Sequence, residues 1–600
     1  MPVRTLFEAS TVEEFARAIE THAGSGGVAP LVPQPRPERV PLSFAQQRMW
    51  FLNRFDPESA VNNIPVAIRL TGALDVGALS HAVGDVVTRH EILRTYYPDI
   101  DGVGVQIVVP TAEAGVDLVA EPVDERDVFT TVAGYVTGGF DVAVAPPVRV
   151  RLLRMSETEH VLVVVVHHIA ADGFSMGPLA RDVMIAYAAR SAGEAPSWQP
   201  LEVQYADYAL WQRQVLGSEE DPESVIARQV AYWTEQLAGA PDVLGLPADR
   251  PRPAVASNLG ATHHFVLGSD VVSGIDSLAA SLGLTRFMVV HSALAVLLAR
   301  LSGTDDIAIG TPVAGRGERA LDDLIGMFVN TLVLRTQVDS SESFRDLLVR
   351  VREVDLGAFG HADVPFERLV EVLDPVRSTA WNPLFQVMLT MQNMAPTQFE
   401  LPGLSLSAVD ADVSLAKFDL QVTLAEQFDD RGESAGMAVV LTYATDLFDE
   451  ATMVGFAERF VRVLSGGVAD PSMPVGDVDL FLADEREQLL TFGRGDVAST
   501  SEVLTDLIAA QMERTPDTAA VSVVGDELTY AQFGDRVGRL ARYLISAGVG
   551  PRCGSRWRWI ARSTWCSQSM QYSRRVAPMC RSTRSNRTTG SSTCSSPPIL

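Results

Sequence analysis

The chain has 600 residues, 47% of them hydrophobic, which is enough for more than one buried core. Its 75 acids against 48 bases give a net charge of −27, which argues against nucleic-acid binding, because neutralising phosphates takes clustered Lys and Arg. No run of 18 apolar residues is present to span a membrane, and "MPVRTLFEAS" lacks the charged and apolar regions of a secretory signal, so the expected compartment is the cytoplasm.

In chain order, "PVRTLFEASTVEEFARAIE" (2–20) predicts a turn and a short amphipathic helix capped by Thr11, with Glu14 three residues on. "AGSGGVAPLVPQPRPERVP" (23–41) reads as a linker, flexible and then stiffer. From Leu42 helix and strand patterns alternate. "SFAQQRMWFLNRF" predicts a helix, "VAIRLTG" a strand, and "DVGALSHAVGDVVTRHEILRTYY" one helix with apolar positions three or four apart. "HVLVVVVHH" (160–168) predicts a strand buried on both faces, and "GPLARDVMIAYAAR" the helix after it. The second half repeats the theme: helices in "SDVVSGIDSLAASLG", "TRFMVVHSALAVLLARLSG" and "ESFRDLLVRVREVDLGAF", strands in "DDIAIGTPV", "PLFQVMLTMQN" and "MAVVLTYATDLFD". Two α/β halves follow, 42–215 and 216–485, then a linker over 486–502 and the start of a third α/β unit over 503–550.

Residues 551–600 break the pattern. They carry nine Arg, no Asp or Glu, and all four cysteines, Cys553, Cys566, Cys580 and Cys594. The body therefore holds all 75 acids against 48 − 9 = 39 bases, and has neither a disulfide framework nor a cysteine nucleophile. A disordered basic tail is one reading. The genetic code offers a sharper one. If each codon starts at the third base of the one written, Met579 before Cys580 and Trp565 before Cys566 both give valine, and "APMCRSTR" from Ala577 can become Ala-Tyr-Val-Pro-Val-Asp-Pro. The expectation is a reading-frame break near Pro551 and an out-of-frame tail.

The chemistry concentrates in "VLVVVVHHIAADGFS" (Val161–Ser175). His167 and His168 end a strand and point to opposite sides, so only one can face a given cavity. Asp172 must be paired if buried, and can orient an imidazole or grip an Arg. His263–His264 is an internal control: a second pair, with no Asp-Gly after it, so a His pair alone means little. The spacing does not converge three metal ligands, and no metal site is expected. "GFSMG" (Gly173–Gly177) matches the G-x-S-x-G elbow, but Ser175 lies too far beyond the strand end for a nucleophile at a sharp turn.

These residues resemble the condensation domain of nonribosomal peptide synthetases over roughly Leu42–Glu485. The likeness rests on motifs in the family's order: "SFAQQRMWFL" (Ser43–Leu52), "RHEILRTYY" (Arg89–Tyr97), "HHIAADGFS" (His167–Ser175), "YADYALWQ" (Tyr205–Gln212), "IGMFVNTLVLR" (Ile325–Arg335), "HADVPFERLV" (His361–Val370) and "RSTAWNPLFQVML" (Arg377–Leu389), with "LPADRPRP" (Leu246–Pro253) between the halves. The resemblance implies two chloramphenicol acetyltransferase-like lobes in a V-shaped pseudo-dimer, 42–215 and 216–485. It implies His168 as the residue that positions or deprotonates an attacking amine, His167 and Asp172 as structural, Asp172 through an unidentified Arg, and Gly173 as a close backbone approach to the acyl carbonyl. Asn330 and Ser175 are expected along the substrate tunnel, and Arg48 and Arg94 in structural pairs. Residues 1–22 resemble the end of a peptidyl carrier domain and "LTYAQFGDRVGRLARYL" (Leu528–Leu544) the start of an adenylation domain, broken before its ATP-binding loops. The implied partners are upstream donor and downstream acceptor carriers and other synthetase modules. No cofactor is expected in the chain itself, 4'-phosphopantetheine being presented in trans. The alternatives are an epimerization, ester-forming or cyclising relative, or a non-catalytic fragment.

Overall fold

The computed structural model describes residue 5 and residues 11–22, 29–392, 401–409, 415–428, 434–482, 484–494, 503–523 and 526–548. The expected out-of-frame tail, 551–600, lies outside the described residues, as do 23–28 and 495–502 of the expected linkers. The chain divides into two compact units, Met1–Asp484 and Glu485–Leu600.

Helix α1 (Phe44–Phe55) begins at a reciprocal cap: the Ser43 side chain accepts from the Gln46 N–H while the Gln46 side chain accepts from the Ser43 N–H. Strand β1 (Asn63–Gly72) and helix α2 (Val76–Arg89), capped by Asp75, follow. The sequence predicts that this helix continues to Tyr97. It ends instead at His90, and Glu91–Arg94 forms a short 3-10 turn. The reason is a competing carboxylate: His90 Nε2 and Arg89 Nε both lie 2.8 Å from an Asp182 oxygen, and the chain leaves the helix where His90 meets it.

Strands β2 (Ala120–Pro122), β3 (Val148–Arg154) and β4 (Glu159–His167) complete the first half, with helix α3 (Met176–Ser191) after β4. Only Glu159 and Val164 of β4 escape full burial. Val161, Val163 and Val165 pack into one apolar cluster and Leu162 into another, so alternate side chains fill cores on both faces. Each such valine contributes about 1.5 kcal/mol or more on burial, which is why the run shows no polar alternation. β4 is antiparallel to both neighbours.

The second half supplies β5 (Gly260–Leu267), helix α4 (Arg286–Ser302), β6 (Asp306–Val313), β7 (Asn330–Gln337), β8 (Val387–Gln392), β9 (Leu404–Ala408), β10 (Leu420–Phe428), β11 (Ser434–Ala444) and helix α5 (Glu450–Ala469). A six-stranded sheet runs β7-β6-β8-β10-β11-β5 and a five-stranded one β9-β1-β4-β3-β2, beside a small sheet of Val40–Pro41, Thr95–Tyr96, Asp99–Ile100 and Val103–Val108. β9 thus comes from the second half of the chain and pairs antiparallel with β1 of the first, from Leu404 opposite Gly72 to Ala408 opposite Ile68. Leu321, Leu324, Ile325, Met327 and Phe328 also pack into the core around β4. The two lobes are therefore interleaved, and a cut at 215/216 does not separate them.

The second unit, by itself, holds a hairpin of Ala519–Val523 and Asp526–Thr529 between helices Leu504–Arg514 and Tyr530–Ser546. Its core is small, Phe533 and Val537 with Ile508, Met512, Ala520 and Val521 against them. No single helix among the described residues is long and apolar enough to cross a membrane.

Candidate active site

The end of β4 is fixed by its ladder. His167 stands opposite Asn63, and the backbone N–H of His168 donates to the Asn62 carbonyl at 2.8 Å. The His167 ring turns inward: it is 1% exposed, lies edge-on to Phe140 at 6.0 Å, and its Nδ1 accepts from the Ile169 N–H at 3.1 Å. Burial, with a smaller push from the Lys417 charge, brings it down to about 4. His168 points the other way and keeps part of its surface open. Its Nδ1 is enclosed yet has no hydrogen-bond partner. Burial first, then the charges of Lys417 and His167, hold the ring well below the ordinary imidazole range, against a weaker pull from the Ala171 backbone. His168 is therefore neutral at pH 7 and able to accept a hydrogen bond or a proton.

Asp172 anchors the loop that follows. It is fully buried and caps the turn Gly173–Ser175, one oxygen accepting from Ser175 N–H at 2.8 Å and Ser175 Oγ at 2.7 Å. The other oxygen accepts from the backbone N–H of Phe328 at 2.9 Å and Val329 at 3.2 Å. The arginine that the sequence left unnamed is Arg316, whose Nη2 lies 3.3 Å from Asp172 and 3.0 Å from Ser175 Oγ. Arg316 also donates to the carbonyls of Leu321 and Leu324, and its guanidinium sits 4.3 Å over the Phe328 ring. Gly326 is needed here because a Cβ would come within 2.2 Å of the Tyr205 ring, whose hydroxyl donates to the Met327 carbonyl at 2.6 Å. Gly173 is different. It is exposed, and a Cβ there would meet nothing within 4 Å. Open space therefore lies beside Gly173, in a loop whose Ala170, Ala171, Asp172 and Ser175 are buried.

One expectation is corrected. Ser175 does not line a tunnel: it is fully buried, and its hydroxyl is spent on Asp172, the Gly326 carbonyl at 2.9 Å and the Gly326 N–H at 3.1 Å. Asn330 presents no free amide. Its Nδ2 donates to the carbonyls of Ala362 and Val364, and its Oδ1 accepts from Thr331 and Phe366, so it clasps the start of β7 to the loop before Phe366. Arg48 and Arg94 do make structural contacts, Arg48 with Glu367 at 2.7 Å and Arg94 with the Val109 carbonyl at 2.6 Å. His263 and His264 lie on β5, at the edge of the other sheet, and neither is buried.

Sequence reasoning missed Lys417. Of 48 cationic side chains 47 are Arg, and Lys417 is the only lysine in the chain. Its Nζ lies 3.4 Å from Oδ1 of Asn62, the residue whose carbonyl holds His168. The count was available from the sequence; the neighbourhood was not.

A family model described as the condensation domain matches residues 37–490. A probable non-canonical nonribosomal peptide synthetase, CymA, of Salinispora arenicola is 46% identical over 551 residues, 92% of this chain and 7% of its own length. A dimodular nonribosomal peptide synthase of Bacillus subtilis is 43% identical over 554 residues, 92% of this chain and 23% of its own length. Among solved structures, the X-domain in complex with OxyB from teicoplanin biosynthesis is 37% identical at a TM-score of 0.71, covering 77% of this chain and 100% of that one. The chain thus spans less than a quarter of either of these two curated relatives.

Proposed function

The chain belongs to the condensation-domain family of nonribosomal peptide synthetases, and from that premise we propose that it joins two carrier-tethered substrates through an amide bond. The acceptor's free α-amine attacks the carbonyl of the donor thioester, and a thiol leaves. A protonated amine has no lone pair to attack with, so a neutral imidazole that accepts its hydrogen bond both orients the nitrogen and favours its reactive form. His168 is our candidate for that group. The observation that carries the reading is its neutral, partly exposed ring at the start of a loop that a fully buried carboxylate immobilises and that exposes Gly173. Gly173 lets the acyl group approach the backbone. His167 and Asp172 act on geometry alone, His167 through the Ile169 N–H and Asp172 through Arg316 and the 326–329 segment.

We read residues 1–22 as the end of a carrier domain and 503–550 as the opening of an adenylation domain. The helix Val12–His22, and the hairpin followed by a capped helix in the second unit, are compatible with those readings. The partners are an upstream donor carrier and a downstream acceptor carrier, each presenting its thioester on 4'-phosphopantetheine. The test is to load one carrier with each substrate, add the chain and follow the acceptor carrier by mass spectrometry. A dipeptidyl thioester is expected. Inversion of the donor's α-centre without amide formation would make the domain an epimerase, and no change in either carrier would make it non-catalytic.

A further inference from the structure

The one lysine lies against Asn62, the residue whose carbonyl holds the backbone of His168. Lys417 precedes β10, and it lines a cavity of about 310 Å³ together with Leu52, Asn258, Trp381, Asn382 and Asp446. That volume is at the small end of ligand sites. The side chain is exposed, and the protein atoms crowded around it are the largest influence on its ammonium.

No carboxylate among the described residues lies within 4.0 Å of Lys417 Nζ. Asp419, two residues on, gives both oxygens to Arg252, and Asp446 gives both to Ser257. Arg48, the like charge that faces it, is already paired with Glu367. Burial, followed by Arg48, brings the ammonium down to about 8, which leaves it mostly charged at pH 7. Its only hydrogen bond among the described residues is the long one to Asn62, and Asn62 in turn fixes the backbone of His168. An ammonium has three donors, so capacity remains for a ligand that offers an acceptor.

We propose that Lys417 is a substrate-binding residue of the condensation reaction, its ammonium donating to the carbonyl oxygen of the donor thioester held at His168. The inference rests on the reading of the site as a condensation centre. As the amine nitrogen bonds to the carbonyl carbon, the carbonyl π pair moves onto oxygen, where Lys417 meets it. The pair returns to re-form the carbonyl and expels the sulfur, and the proton released by nitrogen ends on the thiol. Lys417 forms no covalent bond. A compact point charge suits a single oxygen better than a planar guanidinium, which explains a lysine in a chain that otherwise uses arginine.

A single lysine makes the test direct. Reductive methylation with ¹³C-formaldehyde gives one ε-dimethylamine resonance, distinct from that of the α-amine. We expect it to shift on saturation with a donor analogue whose thioester is replaced by an amide, and not with pantetheine alone. Lys417→Gln should lower kcat for dipeptide formation by about 10²-fold, the loss usual for one oxyanion donor, with Lys417→Arg falling between it and wild type. If the resonance stays still under the analogue, or folded Lys417→Gln keeps the wild-type kcat, the proposal is wrong. Should Lys417→Gln fail to fold, the resonance of the labelled wild-type chain decides alone. A chain active as wild type and as Lys417→Gln but inactive as His168→Ala overturns this inference only, whereas a wild-type chain that forms no amide overturns the condensation reading as well.

Discussion

A neutral imidazole can take a proton or only a hydrogen bond, and its basicity decides which role is larger. A general base works best when its pKa lies near the operating pH, and is worth about 10²–10⁴-fold. His168 lies well below that range, held there by burial and by Lys417. Holding both reactants in place can supply about 7–11 kcal/mol, so the proposed role weights orientation of the amine above its deprotonation. Gly173 offers a clean probe of the space beside it, because a side chain there meets no protein atom. Gly173→Leu is expected to abolish dipeptide formation while changing unfolding free energy by less than about 0.5 kcal/mol; normal turnover in that variant would mean the space is not the substrate path. His167 carries a pH signature. Its folded value of about 4 lies below its unfolded 6.5, so its stabilising contribution is complete above pH 6.5 and is lost as the pH falls towards 4, where the unfolded chain takes up a proton that the folded one refuses. Between pH 7 and 4.5 the wild type should lose about 2–3 kcal/mol more than His167→Asn in urea unfolding, and equal losses would contradict the assignment.

The element that matters most is the loop Asp172–Ser175, and it is stabilised by residues about 150 positions away. Asp172→Ala removes the carboxylate from Arg316, whose side chain is 8% exposed, and from three backbone N–H groups and the Ser175 hydroxyl besides. A cost of about 3–5 kcal/mol is expected for Asp172→Ala or for Arg316→Ala, with the double variant about 1–3 kcal/mol less destabilised than the sum. Chemical denaturation of the three variants checks it, and strict additivity would show that the two side chains do not act as one unit. Strand β4 and the histidines at its end were legible, because six consecutive apolar residues fit only a strand covered on both faces. The spacing from His167 to Gly173 also marked the loop. The directions of the side chains were not legible. Ser175 and Asn330 belong to motifs around the site, but a motif does not say that a hydroxyl will be spent on Gly326 or an amide on Ala362 and Val364. Nor could helical periodicity reveal that α2 would stop at His90, since the carboxylate responsible, Asp182, lies on another helix.

At the scale of the molecule, helix and strand patterns were enough for two α/β lobes, and the order of motifs for the family. The interleaving was hidden, because β9 is a five-residue strand whose partner lies more than 300 positions earlier. Through it and the 316–329 segment, the second half of the chain completes a sheet of the first and bolts the reactive loop in place. Lys417 joins the same seam, since it comes from the second half and reaches Asn62 of the first. The fold thus presents one imidazole at a junction built from both halves, and the account depends on that ring acting on the incoming amine. The most direct measurement is the single-turnover rate of amide formation between pre-loaded donor and acceptor carriers, for wild type and His168→Ala at matched folded stability. A loss of about 10²–10⁴-fold is predicted; a variant that forms the dipeptidyl thioester at the wild-type rate would contradict the account.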